Sequence, residues 1–475
     1  MNLQLEEEFD EAAPLHGTQV GLVLGLWLSG VFAASLGGWM EAGHERTTSM
    51  ALLGVAVLWP LAYFALGRCR FVPRTMPVAA TGAVLLFGVV SAVSSFMSPV
   101  ALLSTGYVIL TLTGIWLALQ FNSNLDPEQY ERGLKLFAVL TAGFLAGFAW
   151  YDYVPGTRLG TGKDILNPNT IALVSASVLL AAMAIRTLVL RLLVMAPIAG
   201  ILVLTSSRAA AVAVVSGLTV VVCLRLQARG RSVLLPAAVL LLMGVGATVA
   251  YGDKIFQSVD RVYALSTADR GIGSGASGRL TAWKGTWELF VHNPAIGVGF
   301  RAHEHLLKTD SSAHNGYLAT LAEVGVLGFL GVLYLVVRGL RLLWADSHDP
   351  DRVFIQSILL GLSVGYLLLA IFERYLINVG NPTSLLFLLC IMQPRGSDRA
   401  VSPEDEDEDW PSMEEEVVGE LAGARRESEW RDRGYETEYQ RDFRVIPGCR
   451  YGQSIDEVKN ERDSLCIEAA SLESA

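Results

Sequence analysis

The sequence has 475 residues, of which 52% are apolar and 17% charged, with a formal net charge of -10. The charges sit in clumps between long uncharged runs, which excludes an ordinary set of soluble domains and points to a membrane protein. Much of the negative charge lies in Glu6 to Glu11 and Glu404 to Glu416, and no basic stripe with interleaved aromatics offers a nucleic-acid surface.

Residues 1–17 are read as a short acidic cytoplasmic segment; with no basic region ahead of it, the first apolar run is expected to span rather than to be a cleaved signal peptide. A hydrocarbon core of about 30 Å takes roughly 20 helical residues to cross. Such runs are Thr18 to Gly37, Met50 to Leu66, Val78 to Phe96, Val100 to Leu119, Gly133 to Trp150 and Thr170 to Ile185. They continue with Thr187 to Leu204, Ala209 to Leu224, Val233 to Tyr251, Tyr317 to Val337, Val353 to Phe372 and Leu376 to Met392. The expected fold class is therefore an all-α polytopic membrane protein of about twelve transmembrane helices. Residues 18–393 form its membrane domain, with one long extracytoplasmic loop over residues 252–315, between spans nine and ten.

Every second loop carries arginine or lysine: Arg68, Arg70 and Arg74; Arg132 and Lys135; Arg186; Arg225, Arg229 and Arg231; Arg338 and Arg341; Arg395 and Arg399. Placing these loops inside puts both termini in the cytoplasm, against the minority evidence of Arg158, Lys163 and Arg374. The five cysteines then fall at inner ends or in the inner tail, so no disulfide is expected. Residues 394–475 read as an acidic cytoplasmic tail, disordered or partly helical; solvation explains its charge, with partner binding as the alternative.

Three features could carry chemistry. Arg208 follows Thr205-Ser206-Ser207 in a tight outer turn between two nearly nonpolar spans, where the positive-inside rule disfavours it. Headgroup snorkelling is the bland reading, anion binding the functional one. The loop segment from Gly278 to Phe290 would place Arg279, Trp283 and Trp287 on one face of an interfacial helix, the tryptophans as membrane anchors and Arg279 facing an anionic group. Finally His314, in Ser312-Ala313-His314-Asn315-Gly316-Tyr317, lies at the outer mouth of a span. An imidazole, with an ordinary pKa of about 6.5, can there take a proton from a hydroxyl or simply touch headgroups. His303-Glu304-His305 lacks a further ligand set, so no metal is expected, and the Gly/Ser-rich stretch Gly271 to Gly278 reads as a flexible loop.

In order along the chain, Ser207-Arg208; Gly278-Arg279, Trp283, Asn293-Pro294 and Gly297-Val298-Gly299; then His314-Asn315-Gly316-Tyr317-Leu318, Glu323-Val324-Gly325 and Gly328 resemble the O-antigen ligase family. The resemblance implies a cofactor-free, metal-independent membrane glycosyltransferase of the cell inner membrane. It would take an undecaprenyl-diphosphate-linked glycan as donor and a lipid or glycan hydroxyl as acceptor. Arg208 and Arg279 would neutralise the donor diphosphate and His314 would activate the acceptor. The family also includes polysaccharide polymerases, so both a ligase and a polymerase joining lipid-linked repeats remain open. A transporter for the same lipids is the more distant alternative, although only the last span has the broken, polar character that transporters place at midplane.

Overall fold

The computed structural model describes residues 18–35, 46–66, 76–161, 167–232, 257, 260, 279–307, 312–373, 376–377 and 382–393. In order the helices are α1 (Thr18–Ser35), α2 (Arg46–Leu66), α3 (Val78–Phe96), α4 (Ala101–Asn124), α5 (Pro127–Asp152) and α6 (Pro168–Ala181). They continue with α7 (Leu188–Leu204), α8 (Arg208–Gln227), α9 (Arg279–His292), α10 (His303–Leu306), α11 (Gly316–Asp346), α12 (Val353–Leu369) and α13 (Pro382–Ile391). No strand occurs among the described residues.

Five helices, α3, α4, α5, α8 and α11, are long and apolar enough to cross a membrane, and six shorter apolar helices fall in other expected runs. The ninth run, Val233 to Tyr251, lies outside the described residues, as do 1–17, most of the 252–315 loop ahead of Arg279, and 394–475. The last run is helical over Pro382–Ile391, ten residues rather than a full span, while Leu376 and Ile377 lie in a bend. Pro382 suits a helix start, because the first turn does not use its missing N–H. The chain divides into two units, 1–400 and 401–475, the second outside the described residues.

Large apolar side chains on α3, α4, α7 and α8, among them Leu85, Val89, Leu102, Leu193 and Val215, are exposed, as a lipid-facing surface requires and a water-facing one does not. Inside, helices touch through small residues. A Cβ on Gly217 of α8 would lie 2.7 Å from the Gly361 carbonyl oxygen of α12, and one on Gly365 would lie 2.8 Å from that of Ala213. Backbones this close gain dispersion contacts that lipid tails cannot match, which is how helices associate in an apolar solvent. Gly331 lets α11 approach α3 in the same way, its Cβ position being 2.8 Å from the Ala83 carbonyl.

α11 is broken. At Gly325, with φ 63° and ψ -172°, its helical ladder opens. In a regular helix the carbonyls of Ala322 and Glu323 would accept from the N–H groups of Val326 and Leu327. Here those carbonyls accept from Val298 and Gly299 (3.0 Å each), while Val326 and Leu327 donate to Pro294 (2.8 Å) and Ala295 (3.2 Å). The segment from Asn293 to Gly299 is thus laid into the gap, and backbone groups that would otherwise be orphaned are paired. The Ser94 hydroxyl of α3 also donates to the Glu323 carbonyl (2.9 Å), and the Ser95 hydroxyl accepts from Phe300 N–H (3.2 Å). Glycine is required on both sides of the crossing. A Cβ on Gly297 (φ 75°) would lie 2.3 Å from the Glu323 backbone, and one on Gly325 2.3 Å from that of Ala295.

Candidate active site

The α7–α8 turn shows how Arg208 is placed. Ser206 takes a left-handed conformation (φ 50°), reversing the chain so that α8 begins at Arg208 itself. The turn is braced from outside it: Arg158 donates through Nε to the Thr205 carbonyl and through Nη2 to Asn169 Oδ1 (2.9 Å), and Leu159 N–H donates to the Leu204 carbonyl (3.1 Å). Arg158, an exception to the basic-inside pattern, therefore has a local structural use. The Ser207 side chain makes no capping bond at the start of α8.

Arg279 is the first described residue of α9. Its Nη2 lies 3.8 Å from Oε1 of Glu373, a buried carboxylate just past the end of α12. Burial pushes the Arg279 pKa below its ordinary value; Glu373 opposes that shift and neighbouring Arg208 adds to it. Arg208 and Arg279, distant in sequence, thus lie near enough for their like charges to oppose each other, with the Glu373 carboxylate beside Arg279. A half-buried cation pair of this kind gains more from an incoming anion than two exposed arginines would.

The expected face of α9 is only partly as observed. Ala282 and Thr286 are the buried positions, Trp287 is exposed and stacks near Phe290 at 5.1 Å, and Trp283 is partly buried. The Trp283 indole N–H is shielded from solvent and has no acceptor among the described residues.

His314 precedes α11 with φ 46°, and Asn315 caps the helix by accepting from Leu318 N–H (3.0 Å). Gly316 N–H donates to the Ala370 carbonyl (2.7 Å) at the end of α12, three residues before Glu373. The same end of α12 therefore meets the start of α11, with His314, and, through Glu373, Arg279.

A pair that sequence reasoning missed lies behind His314. His303, fully buried, places Nδ1 2.5 Å from Oε1 of Glu323, while its Nε2 accepts from Ala313 N–H (3.5 Å). These contacts suit an imidazole protonated on Nδ1 next to a carboxylate, and they tie the residue before His314 to the broken stretch of α11. Glu304 turns to Arg301 instead (3.2 Å), so the His303-Glu304-His305 residues diverge. Among the described residues no group of three or more His, Cys, Asp or Glu is placed to hold a metal.

No curated protein matches the sequence. The family model described as O-Antigen ligase matches residues 192–333, a stretch that runs from α7 through the break in α11 and contains Arg208, Arg279, His303, His314 and Glu323. By that match, and with the order of motifs already described, the chain carries an O-antigen ligase family domain over residues 192–333.

Proposed function

We propose that this protein transfers a polyprenyl-diphosphate-linked glycan to a hydroxyl acceptor on the extracytoplasmic side of the cell inner membrane, as an O-antigen ligase does. The observation that carries the reading is the meeting of Arg208, Arg279 and Glu373 beside the end of α12 that also anchors the His314 turn. With the basic loops in the cytoplasm, both termini are cytoplasmic, the membrane domain spans 18–393 in about twelve passes, and this group faces outward. A flipped lipid-linked glycan presents its diphosphate at that level.

In the reaction His314 takes the proton of the acceptor hydroxyl, the oxygen attacks the anomeric carbon, and the bond from that carbon to the diphosphate oxygen breaks. The electron pair leaves with the polyprenyl diphosphate. Arg208 and Arg279 offset the charge that develops there. Glu373 orients Arg279, and Glu323 with His303 positions the backbone that carries His314. The diphosphate is already a good leaving group, so these residues supply charge and a base without a metal.

Polymerisation of lipid-linked repeats uses the same chemistry with a second lipid-linked glycan as acceptor. The deciding experiment incubates the purified full chain with undecaprenyl diphosphate oligosaccharide, alone and then with a core-lipid acceptor, using a His314 variant as blank. Transfer only when the acceptor is present marks a ligase, and longer lipid-linked chains without it mark a polymerase. Neither product would sink the transferase reading and leave lipid transport in its place.

A further inference from the structure

The far end of α8 holds a second group of arginines. At about 1.5 Å per residue, Arg225 lies roughly 25 Å along the axis from Arg208, close to the thickness of a hydrocarbon core. There a cavity of about 640 Å³ opens between the ends of α6, α7, α8 and α12, lined by Arg186, Arg191, Arg225 and Arg229 and, among the described residues, by no carboxylate. Its floor is apolar, including Val353 and Phe354.

Three of the four guanidinium groups are held by protein contacts, Arg186 while 66% exposed, and Arg229 is exposed. Arg225 donates to the carbonyls of Phe354 (3.1 Å) and Met183 (3.3 Å) and to the Ser357 hydroxyl (3.3 Å). Arg191 donates to the carbonyls of Ile185 (2.7 Å) and Arg186 (3.3 Å). Arg186 binds both oxygens of buried Glu131 (2.7 and 2.9 Å), which Lys135 also contacts. The guanidinium carbons of Arg186 and Arg225 lie 4.4 and 4.2 Å from the Phe354 ring centroid. After these contacts Nη1 of Arg186, Arg191 and Arg225 and the whole head of Arg229 have no protein partner among the described residues.

Four like charges gathered round a partly apolar hollow, with one carboxylate that already serves two cations, repel one another unless an anion joins them. Most basic residues at a membrane surface point into water and are not stacked, bonded and set around a cavity. We propose that this cavity binds the phosphate headgroup of an anionic phospholipid, its acyl chain lying along the exposed apolar side chains of α8, such as Val222. The ligand chemistry is a phosphate ester bound by guanidinium forks, and the site is separate from the Arg208 and Arg279 group. It goes beyond the transferase reading and does not depend on it.

The test is native mass spectrometry of the full-length protein equilibrated with phosphatidylglycerol or with phosphatidylcholine, with and without inorganic phosphate. Retention of phosphatidylglycerol over phosphatidylcholine is expected. It should fall about tenfold in Arg191→Gln/Arg229→Gln and measurably in Arg229→Gln alone, whose side chain supports nothing else in the fold. The exposed pair Arg231→Gln/Arg341→Gln, outside the cavity, should retain lipid as wild type does. Equal retention of the two lipids, or an equal loss in both double variants, would overturn the site. Displacement of the lipid by millimolar inorganic phosphate would assign the cavity to a soluble anion and overturn the lipid. Because retained lipid, not product, is read, a failure here leaves glycan transfer untouched.

Discussion

A guanidinium at the first residue of a helix stands at the positive pole of the helix dipole, which costs about 0.3–1 kcal/mol unless an anion offsets it. Arg208 occupies that position. The arrangement makes sense for a site that waits for a diphosphate, and it sets an expectation for conservative change. Arg208→Lys and Arg279→Lys each keep the charge but lose the two-pronged contact, so kcat/KM should fall about tenfold or more in steady-state transfer assays at equal protein level. His314→Ala should abolish transfer, but its left-handed backbone means that alanine adds strain to the lost chemistry. His314→Asn separates the two, since asparagine tolerates this conformation. A loss of at least about a hundredfold with normal insertion is expected, and near-normal product would remove the general-base role. At this scale the sequence singles out a residue where it stands against its surroundings: an arginine in the turn between two apolar helices, a histidine just ahead of another. Glu373 and the His303–Glu323 pair were not readable, because each is defined by a partner on another element and no local spacing announces it.

The break in α11 governs the elements around the site. Gly297→Ala or Gly325→Ala would drive a Cβ into the backbone of the facing segment, so both variants should yield less folded protein and a lower melting temperature in detergent. Gly106→Ala, where a Cβ meets open space, should not. Glu323→Ala leaves the buried His303 Nδ1–H without its acceptor and should cost about 1–3 kcal/mol in stability, whereas Glu323→Gln should lose much less. Thermal unfolding followed by intrinsic fluorescence would separate these cases. The helices up to α8 overlap the apolar runs, since length and hydropathy are local, although α5 begins at Pro127, ahead of its run; the Trp-bearing helix falls on the segment expected as an interfacial helix. The opening at Gly325 does not, because it sits in a continuous apolar run without proline, and only the incoming 293–299 segment makes it affordable. The same limit applies to α13, where the apolar run overstates the helix seen in the described residues.

For the molecule as a whole, residues 1–400 form one unit and 401–475 another. The acidic tail lies outside the matched family stretch, and a chain ended at Ala400 is expected to insert and transfer glycan like the full chain; lost transfer with normal insertion would give the tail a working part. The overall class was readable from composition, since a chain that is half apolar with clustered charge has few alternatives. How the two ends of α8 come to serve different groups was not, because each group draws on helices far apart in sequence. The bond from Ser94 to Glu323 spans 229 residues, and the one from Ser95 to Phe300 spans 205. A ribosome delivers α3 to the membrane long before the partners of these two hydroxyls exist. Those two bonds therefore cannot form span by span: they wait until the 293–299 segment and the opened helix have been made, and a nascent chain halted before that point would lack them.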